Sequence, residues 1–268
     1  MFFNAKNRSI DTGKYIIDYF TFGKGDNVLV ILPGIYGFTA ITPKAISLVF
    51  QFRQLAKEFR IYYLKRRRRL PYQHTIDEMA DDQNEVMNIL GIKNANMLGL
   101  SMGGMIAQAV AIKYPDKVKR LVLGVTTSYL NEKMKNILNN WIKIAKDSNY
   151  KELIRDMAEK IYTEEYLRKM RRFYPLITRI GKPKSFRHFI IEAIACLTHN
   201  TYEKLYEIKC PTLIIGGAND SIIAKSSTLE LADRIENNKL LLYENFGHSV
   251  IFEEKNCFNK IIDFLKNK

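Results

Sequence analysis

The chain has 268 residues, 47% of them hydrophobic, which is enough to bury one large core without disulfide staples. Its three cysteines, Cys196, Cys210 and Cys257, are odd in number and widely spaced. They make neither a disulfide framework nor a Cys-x-x-Cys metal knuckle, so no metal is expected and a cytoplasmic location is. The 42 Lys and Arg against 28 Asp and Glu give a net charge of +14. No nucleic-acid-binding motif surrounds the two basic clusters, at 65–69 and 168–187, so the surplus is read as a lysine-rich surface and no nucleic-acid partner is expected. The amino-terminal residues lack the apolar core of a signal peptide, and no apolar run approaches membrane-spanning length, so no membrane insertion is expected.

In chain order, residues 15–21 read as a strand and the Gly23-Lys24-Gly25-Asp26-Asn27 cluster as a turn. Residues 28–32 form a continuous apolar run, the pattern of a strand buried on both faces. A helix follows over 43–59 and a strand over 60–64. Thr75-Ile76-Asp77-Glu78 is a capping box that opens a helix running to about Leu90, closed by Gly91. A strand over 95–98 leads directly into a helix over 101–114, which Pro115 ends, and a strand returns over 118–125.

From 126 to 207 no β-rich run of useful length occurs, and apolar residues recur at helical spacing over 134–145, 151–161 and 186–197. Alternation then resumes with strands over 212–215 and 239–243 and helices over 224–235 and 252–265. Strands alternating with helices predict an α/β fold whose mostly parallel sheet is covered on both faces. The expected organisation is one core, 1–125 and 208–268, carrying a helical cap over 126–207.

The segment Gly99-Leu100-Ser101-Met102-Gly103 lies where the strand over 95–98 meets its helix. The pattern G-x-S-x-G at such a turn is the nucleophile elbow: the turn is so sharp that residues two before and two after the serine must be nearly free of side chain. It holds the hydroxyl out at the carboxyl edge of the sheet, above a helix N-terminus with free N–H groups.

A serine becomes a nucleophile only beside a base, and the base needs an orienting carboxylate. The sequence has four histidines. His74 precedes the capping box, and His188 and His199 belong to the predicted cap. His248 follows Gly247 in the short loop between the last strand and the last helix, at the same sheet edge as Ser101. Beyond the strand over 212–215 stands one carboxylate, Asp220, whereas the alternative position after the strand over 118–125 reads Thr126-Thr127-Ser128 and has no acid. The order Ser101, Asp220, His248 matches the triad order of the α/β hydrolases.

These motifs make the chain resemble the α/β-hydrolase superfamily over nearly its whole length. The run Tyr114-Pro115-Asp116-Lys117-Val118 looks like the segment after the elbow helix, and Pro211 to His248 like the carboxy-terminal third. The resemblance implies an eight-stranded, mostly parallel sheet flanked by helices, with a helical cap inserted after the sixth strand. It implies an oxyanion hole made by the backbone N–H groups of Met102 and, after Gly34, Ile35.

Two departures stand out. Relatives usually carry His-Gly where this chain has Pro33-Gly34. Where they carry Asp, then Arg-Gly and a small residue, this chain has Lys65-Arg66-Arg67-Arg68-Arg69. Without a glycine, that loop is expected to follow a longer, more exposed path as a solvated basic loop; the alternative is that it draws anionic substrates toward the pocket.

The reading is therefore a serine hydrolase that cleaves a carboxylic ester of a small molecule through an acyl-enzyme, with no cofactor. The aspartate nucleophile of haloalkane dehalogenase and epoxide hydrolase relatives is absent, and Met102 stands where proline iminopeptidase relatives often have Trp. Lactonase, thioesterase, carbon–carbon hydrolase, peptidase and acyltransferase chemistry remain open on the same triad, as does a non-catalytic ligand-binding protein on this fold. Tyr36, Trp141 and Phe186, with Tyr150 and Tyr174, are candidate pocket walls. The sequence leaves monomer and homodimer equally open.

Overall fold

The computed structural model describes residues 3–35, 45–180 and 182–266. Eight strands form one sheet: β1 Lys6–Asp11, β2 Ile16–Phe22, β3 Val28–Leu32, β4 Arg60–Arg67, β5 Ala95–Leu100, β6 Val118–Gly124, β7 Thr212–Gly217 and β8 Asn238–Tyr243. Their spatial order is β1-β2-β4-β3-β5-β6-β7-β8. β2 runs antiparallel to both β1 and β4, and every other pair is parallel.

Helices α1 Ala45–Gln51, α2 Leu55–Glu58, α3 Ile76–Ile89 and α4 Met102–Lys113 occupy the first half of the chain. Between β6 and β7 lie α5 Glu132–Lys146, α6 Tyr150–Ile161, α7 Glu164–Met170, α8 Tyr174–Ile180 and α9 Arg187–Thr198. The last three are α10 Lys225–Arg234, α11 Val250–Glu253 and α12 Cys257–Lys266.

The sheet separates two apolar clusters, as a parallel sheet with both faces covered requires. One joins residues of α3, α4 and the helices between β6 and β7; the other joins α1, α2, α11 and α12. The central strands β5 and β7 are buried at every position, which is why their sequences read as continuous apolar runs rather than alternation. α4 is apolar on all sides and buried from Met102 to Ala111. α3 starts at the capping box: Thr75 Oγ1 accepts from the Glu78 N–H at 3.2 Å, and Glu78 Oε2 accepts from the Thr75 N–H at 2.7 Å.

Several elements depart from the sequence reading. β1 has five of six residues exposed, so it shows no buried face to find in a pattern. The helix expected over 43–59 is broken into α1 and α2, with residues 43 and 44 outside the described residues. The exposed basic loop expected after residue 64 is strand as far as Arg67, where β4 ends, and of the run only Arg68 and Arg69 are exposed. Arg67 pairs with Asp82 through Nε at 2.8 Å, and Arg68 with Asp18 at 2.7 Å.

Chain order and spatial order part at β3. From β3 the chain crosses to β4 on one side, and β5 lies on the other. The loops leaving β3 and β5 at their carboxyl ends therefore diverge and open a crevice, the position where open α/β sheets hold ligands.

Candidate active site

Ser101 stands at that crevice, immediately after β5 and before α4. Its backbone adopts φ 52° and ψ −119°, a strained conformation for a residue with a side chain. Packing enforces it. A Cβ on Gly103 would lie 1.9 Å from the Leu32 carbonyl oxygen, and one on Gly99 would lie 2.5 Å from the Gly103 carbonyl oxygen. The two glycines let β3, β5 and α4 converge on the turn. A support that the sequence did not reveal comes from Thr126, whose hydroxyl donates to the Ser101 carbonyl at 2.7 Å.

His248 Nε2 lies 3.1 Å from Ser101 Oγ, and His248 Nδ1 lies 2.7 Å from Asp220 Oδ2. The side chains of His248 and Asp220 are 9% and 2% exposed, so this contact is shielded from water. Asp220 is fixed in turn: its Oδ1 accepts from the N–H groups of Ile222 at 2.8 Å and Ile223 at 2.9 Å. That leaves Oδ2 for the imidazole, with Nδ1–H as the donor and Nε2 free to accept from the serine hydroxyl. The His248 loop reaches Asp220 by folding over the end of β7. A Cβ on Gly217 would fall 2.3 Å from the Phe246 carbonyl oxygen, so only glycine admits this crossing.

Met102 opens α4, so its N–H has no acceptor within the helix. Ile35 lines the cavity beside Ser101, following Gly34, whose Cβ position is 3.9 Å from Ser101 Oγ. Both expected oxyanion donors thus border the serine.

A cavity of about 230 Å³ opens between this sheet edge and the helices that follow β6. Among the described residues its lining is mostly apolar, with Met134, Leu138 and Trp141 from α5, Met157 from α6, and Leu48 and Phe52, and Gln51 is a polar exception distant in sequence from Ser101 and His248. No Lys, Arg, Asp or Glu lines it among the described residues. Cys196 also lines it, and burial pushes its thiol pKa up, which keeps it protonated.

Of the candidate pocket walls, Trp141 lines the cavity, with its indole N–H held by Asp156 at 2.7 Å. Tyr36 lies outside the described residues. Phe186 is a correction: it is not among the cavity-lining residues but packs on Tyr150, ring centroids 6.2 Å apart. Apolar spacing marks Phe186 as buried, and that burial, at the residue before α9, is against Tyr150 rather than at the cavity. Tyr150 and Tyr174 do not line the cavity either, whereas Tyr162, unremarked in sequence, does. His188 Nε2 donates to the Arg68 carbonyl oxygen at 2.8 Å. His199 is buried beside Thr201, and burial pulls its pKa down to about 3. Neither reaches the cavity.

Among the described residues no group of three or more His, Cys, Asp or Glu side chains could hold a metal ion, and no helix is long and apolar enough to cross a membrane.

Comparison with known proteins agrees with this fold. The family profile described as alpha/beta hydrolase fold matches residues 27–255. The chain is 26% identical over 255 residues to the serine hydrolase BPHL of Mus musculus, covering 93% of this chain and 83% of that one. It is 25% identical over 230 residues to the putative carbamate hydrolase RutD of Caulobacter sp. (strain K31), covering 81% and 85%. Among solved structures, MGS-M2, an alpha/beta hydrolase enzyme from a Medee basin deep-sea metagenome library, superposes with a TM-score of 0.87 at 22% identity over 97% of this chain and 98% of that one. The chain belongs to the α/β-hydrolase family and is a hydrolase.

Proposed function

We propose that the protein is a serine hydrolase that cleaves carboxylic esters of small, uncharged acyl groups. The observation that carries this reading is the continuous hydrogen-bonded line from Asp220 through His248 to Ser101, at 2.7 and 3.1 Å. His248 Nε2 takes the hydroxyl proton as Ser101 Oγ attacks the acyl carbon, and Asp220 stabilises the imidazolium that forms. The N–H groups of Met102 and Ile35 hold the tetrahedral oxyanion, each such donor contributing on the order of 100- to 1000-fold in rate. His248 then gives its proton to the leaving alcohol. Water, deprotonated by the same nitrogen, attacks the acyl-enzyme and returns Ser101 to its free state.

The substrate class follows from the lining. An apolar cavity without a charged wall favours an uncharged acyl chain and penalises a carboxylate, which would lose its hydration without gaining a partner. At about 230 Å³ the cavity lies below the roughly 300–1,000 Å³ of sites for drug-sized ligands, so the acyl group is short. In this reading residues 126–207 act as the cap that sets chain length, and Arg66, Arg67 and Arg68 do not draw anionic substrate, because they are turned to other partners.

The test is covalent labelling. A fluorophosphonate should modify Ser101 alone, and p-nitrophenyl butyrate should be hydrolysed by the wild-type protein and not by Ser101→Ala. Absence of both labelling and turnover would leave a ligand-binding role as the surviving reading.

A further inference from the structure

Arg66 is an arginine with almost no access to water, at 5% exposure, in a position where the sequence led us to expect a solvated loop. Its Nη2 donates to the Pro33 carbonyl at 2.6 Å and to the Gly34 carbonyl at 2.9 Å, and also lies 3.5 Å from Met102 Sδ. Its Nε lies 3.3 Å from Glu192 Oε1, a carboxylate on α9 whose side chain is fully buried. One guanidinium thus ties the loop after β3, the first residue of α4 and a helix of the segment between β6 and β7.

The peptide geometry gives these contacts a consequence. The C=O of Gly34 and the N–H of Ile35 belong to one peptide unit, and no described peptide bond is cis, so the two groups point in opposite directions. Pro33, Gly34 and Ile35 all line the cavity that contains Ser101, whereas Arg66 does not. Arg66 therefore grips the loop from behind. Holding the Gly34 oxygen toward Arg66 turns the Ile35 N–H toward the cavity.

The same grip on the Pro33 oxygen fixes the preceding peptide plane, so the donor cannot turn by rotation of its neighbour. A backbone donor works in catalysis only if it is aimed before the oxyanion forms. Here Nη2 donates to both carbonyls while Nε faces Glu192, a pairing of two separate nitrogens that lysine, with a single compact ammonium, reproduces only in part.

We propose that Arg66, held by Glu192, is a positioning residue that sets the orientation of the Ile35 N–H for oxyanion binding. This takes the place of the tight glycine turn that related chains carry after the same strand, and it makes the helical layer, through Glu192, part of the support of the oxyanion site. The proposal rests on the esterase reading above for its catalytic consequence, but the loop orientation it asserts is independent of substrate.

Arg66→Met alone leaves Glu192 buried without its cation and is expected to lower Tm, so it does not separate folding from positioning. The informative variant is Arg66→Met with Glu192→Met, which removes both charges and is expected to recover most of that Tm. Three readouts apply to it. Against p-nitrophenyl butyrate, kcat should fall about 10- to 100-fold, short of full loss of an oxyanion donor, with KM within about twofold. Inhibition by a trifluoromethyl ketone, whose hemiketal oxygen occupies the oxyanion position, should weaken by the same factor. Hydrogen exchange of the Ile35 amide should accelerate about tenfold or more, because its peptide plane is released.

Arg66→Lys should lie between the wild type and the double variant in all three. A folded double variant with wild-type kcat, or with unchanged ketone affinity, would overturn the proposal. If the wild type proves inactive on every ester, the esterase reading fails, and the exchange rate of the Ile35 amide still decides whether Arg66 holds the loop: an unchanged rate overturns the proposal and an accelerated one supports it.

Discussion

The sheet edge and the helical layer above it meet at one cavity but are built on different principles. At the sheet edge, the groups around Ser101 are held by close backbone contacts and by side-chain hydrogen bonds of Thr126, Asp220 and Arg66. Gly99, Gly103 and Gly217 allow contacts that a single methyl would prevent, and Asp220 is clamped by two N–H groups before it meets His248. In the layer of α5 to α9, the cavity wall is made of Met, Leu and Trp side chains that touch ligand only by dispersion and exclusion of water. The first construction tolerates almost no change, since its positions are set by atoms that cannot move. The second can be rebuilt residue by residue, since apolar side chains of similar volume exchange at small cost. In the proposed function, chemistry sits in the rigid half and selectivity in the adaptable one.

The comparison breaks most sharply at the nucleophile. Ser101→Ala should lower kcat for p-nitrophenyl butyrate by about 10⁵- to 10⁶-fold while leaving Tm within a degree or two. A residual activity within about tenfold of wild type, measured on protein freed of contaminating esterase, would remove Ser101 from the chemistry.

The glycines test rigidity rather than chemistry. Gly103→Ala places a methyl 1.9 Å from the Leu32 carbonyl, where only backbone can give way. It should destabilise the protein by about 3 kcal/mol or more, above the usual range for overpacking, read as a lower urea midpoint. A midpoint equal to wild type would show that the elbow can relax, against the distinction drawn here.

The junction of the two halves is tested by pH. His199 lies at the end of α9, and the Thr201 hydroxyl beside it donates to Gln108 Oε1 of α4 at 2.7 Å. Burial pulls the pKa of His199 down to about 3, below its ordinary value of 6.5. Between those values the unfolded chain binds a proton that the folded protein does not, so stability falls as pH drops from 6.5 toward 3. The slope from this group is at most about 1.4 kcal/mol per pH unit. Replacing His199 by Gln should flatten the stability profile over that window, measured by urea unfolding from pH 7 to pH 4. An unchanged profile would show that His199 is protonated without opening the junction.

The smallest effect belongs to the adaptable half. Leu138→Ala deepens the cavity and should shift preference toward longer acyl chains by about fourfold per added methylene accommodated, with kcat on acetate esters nearly unchanged. Comparing kcat/KM across acetate, butyrate and hexanoate esters checks it. Loss of kcat on all chains alike would place Leu138 in the support of the reacting groups instead.

What could be read in advance follows the same division. The capping box at Thr75, the apolar runs of β3 and β5, and the glycine spacing around Ser101 are local patterns, each of which admits few backbones. They located the strands, the elbow and, through chain order, Asp220 and His248. β1 escaped because an edge strand with exposed side chains has no hydrophobic period to detect. Phe186 was misplaced because apolar spacing reports that a residue is buried but not which neighbour buries it.

The run Lys65-Arg66-Arg67-Arg68-Arg69 shows the limit most clearly. In sequence it is five cations in a row, and composition favours solvent. In the structure strand pairing sends successive side chains to opposite faces, so Arg66 turns inward to Pro33, Gly34 and Glu192, while Arg67 meets Asp82 and Arg68 meets Asp18. The carboxylate partners lie 15 to 126 residues away and the other acceptors are carbonyls of a distant loop, so no window of sequence contains them. By itself the sequence determined the alternation of strands and helices from β2 onward in the core and the residue types at the sheet edge, because those depend on local conformational preference. Only the tertiary structure decided which arginine is buried, which side chains wall the cavity and what holds the loop beside Ser101, because burial and ion pairing depend on partners that folding alone brings within reach.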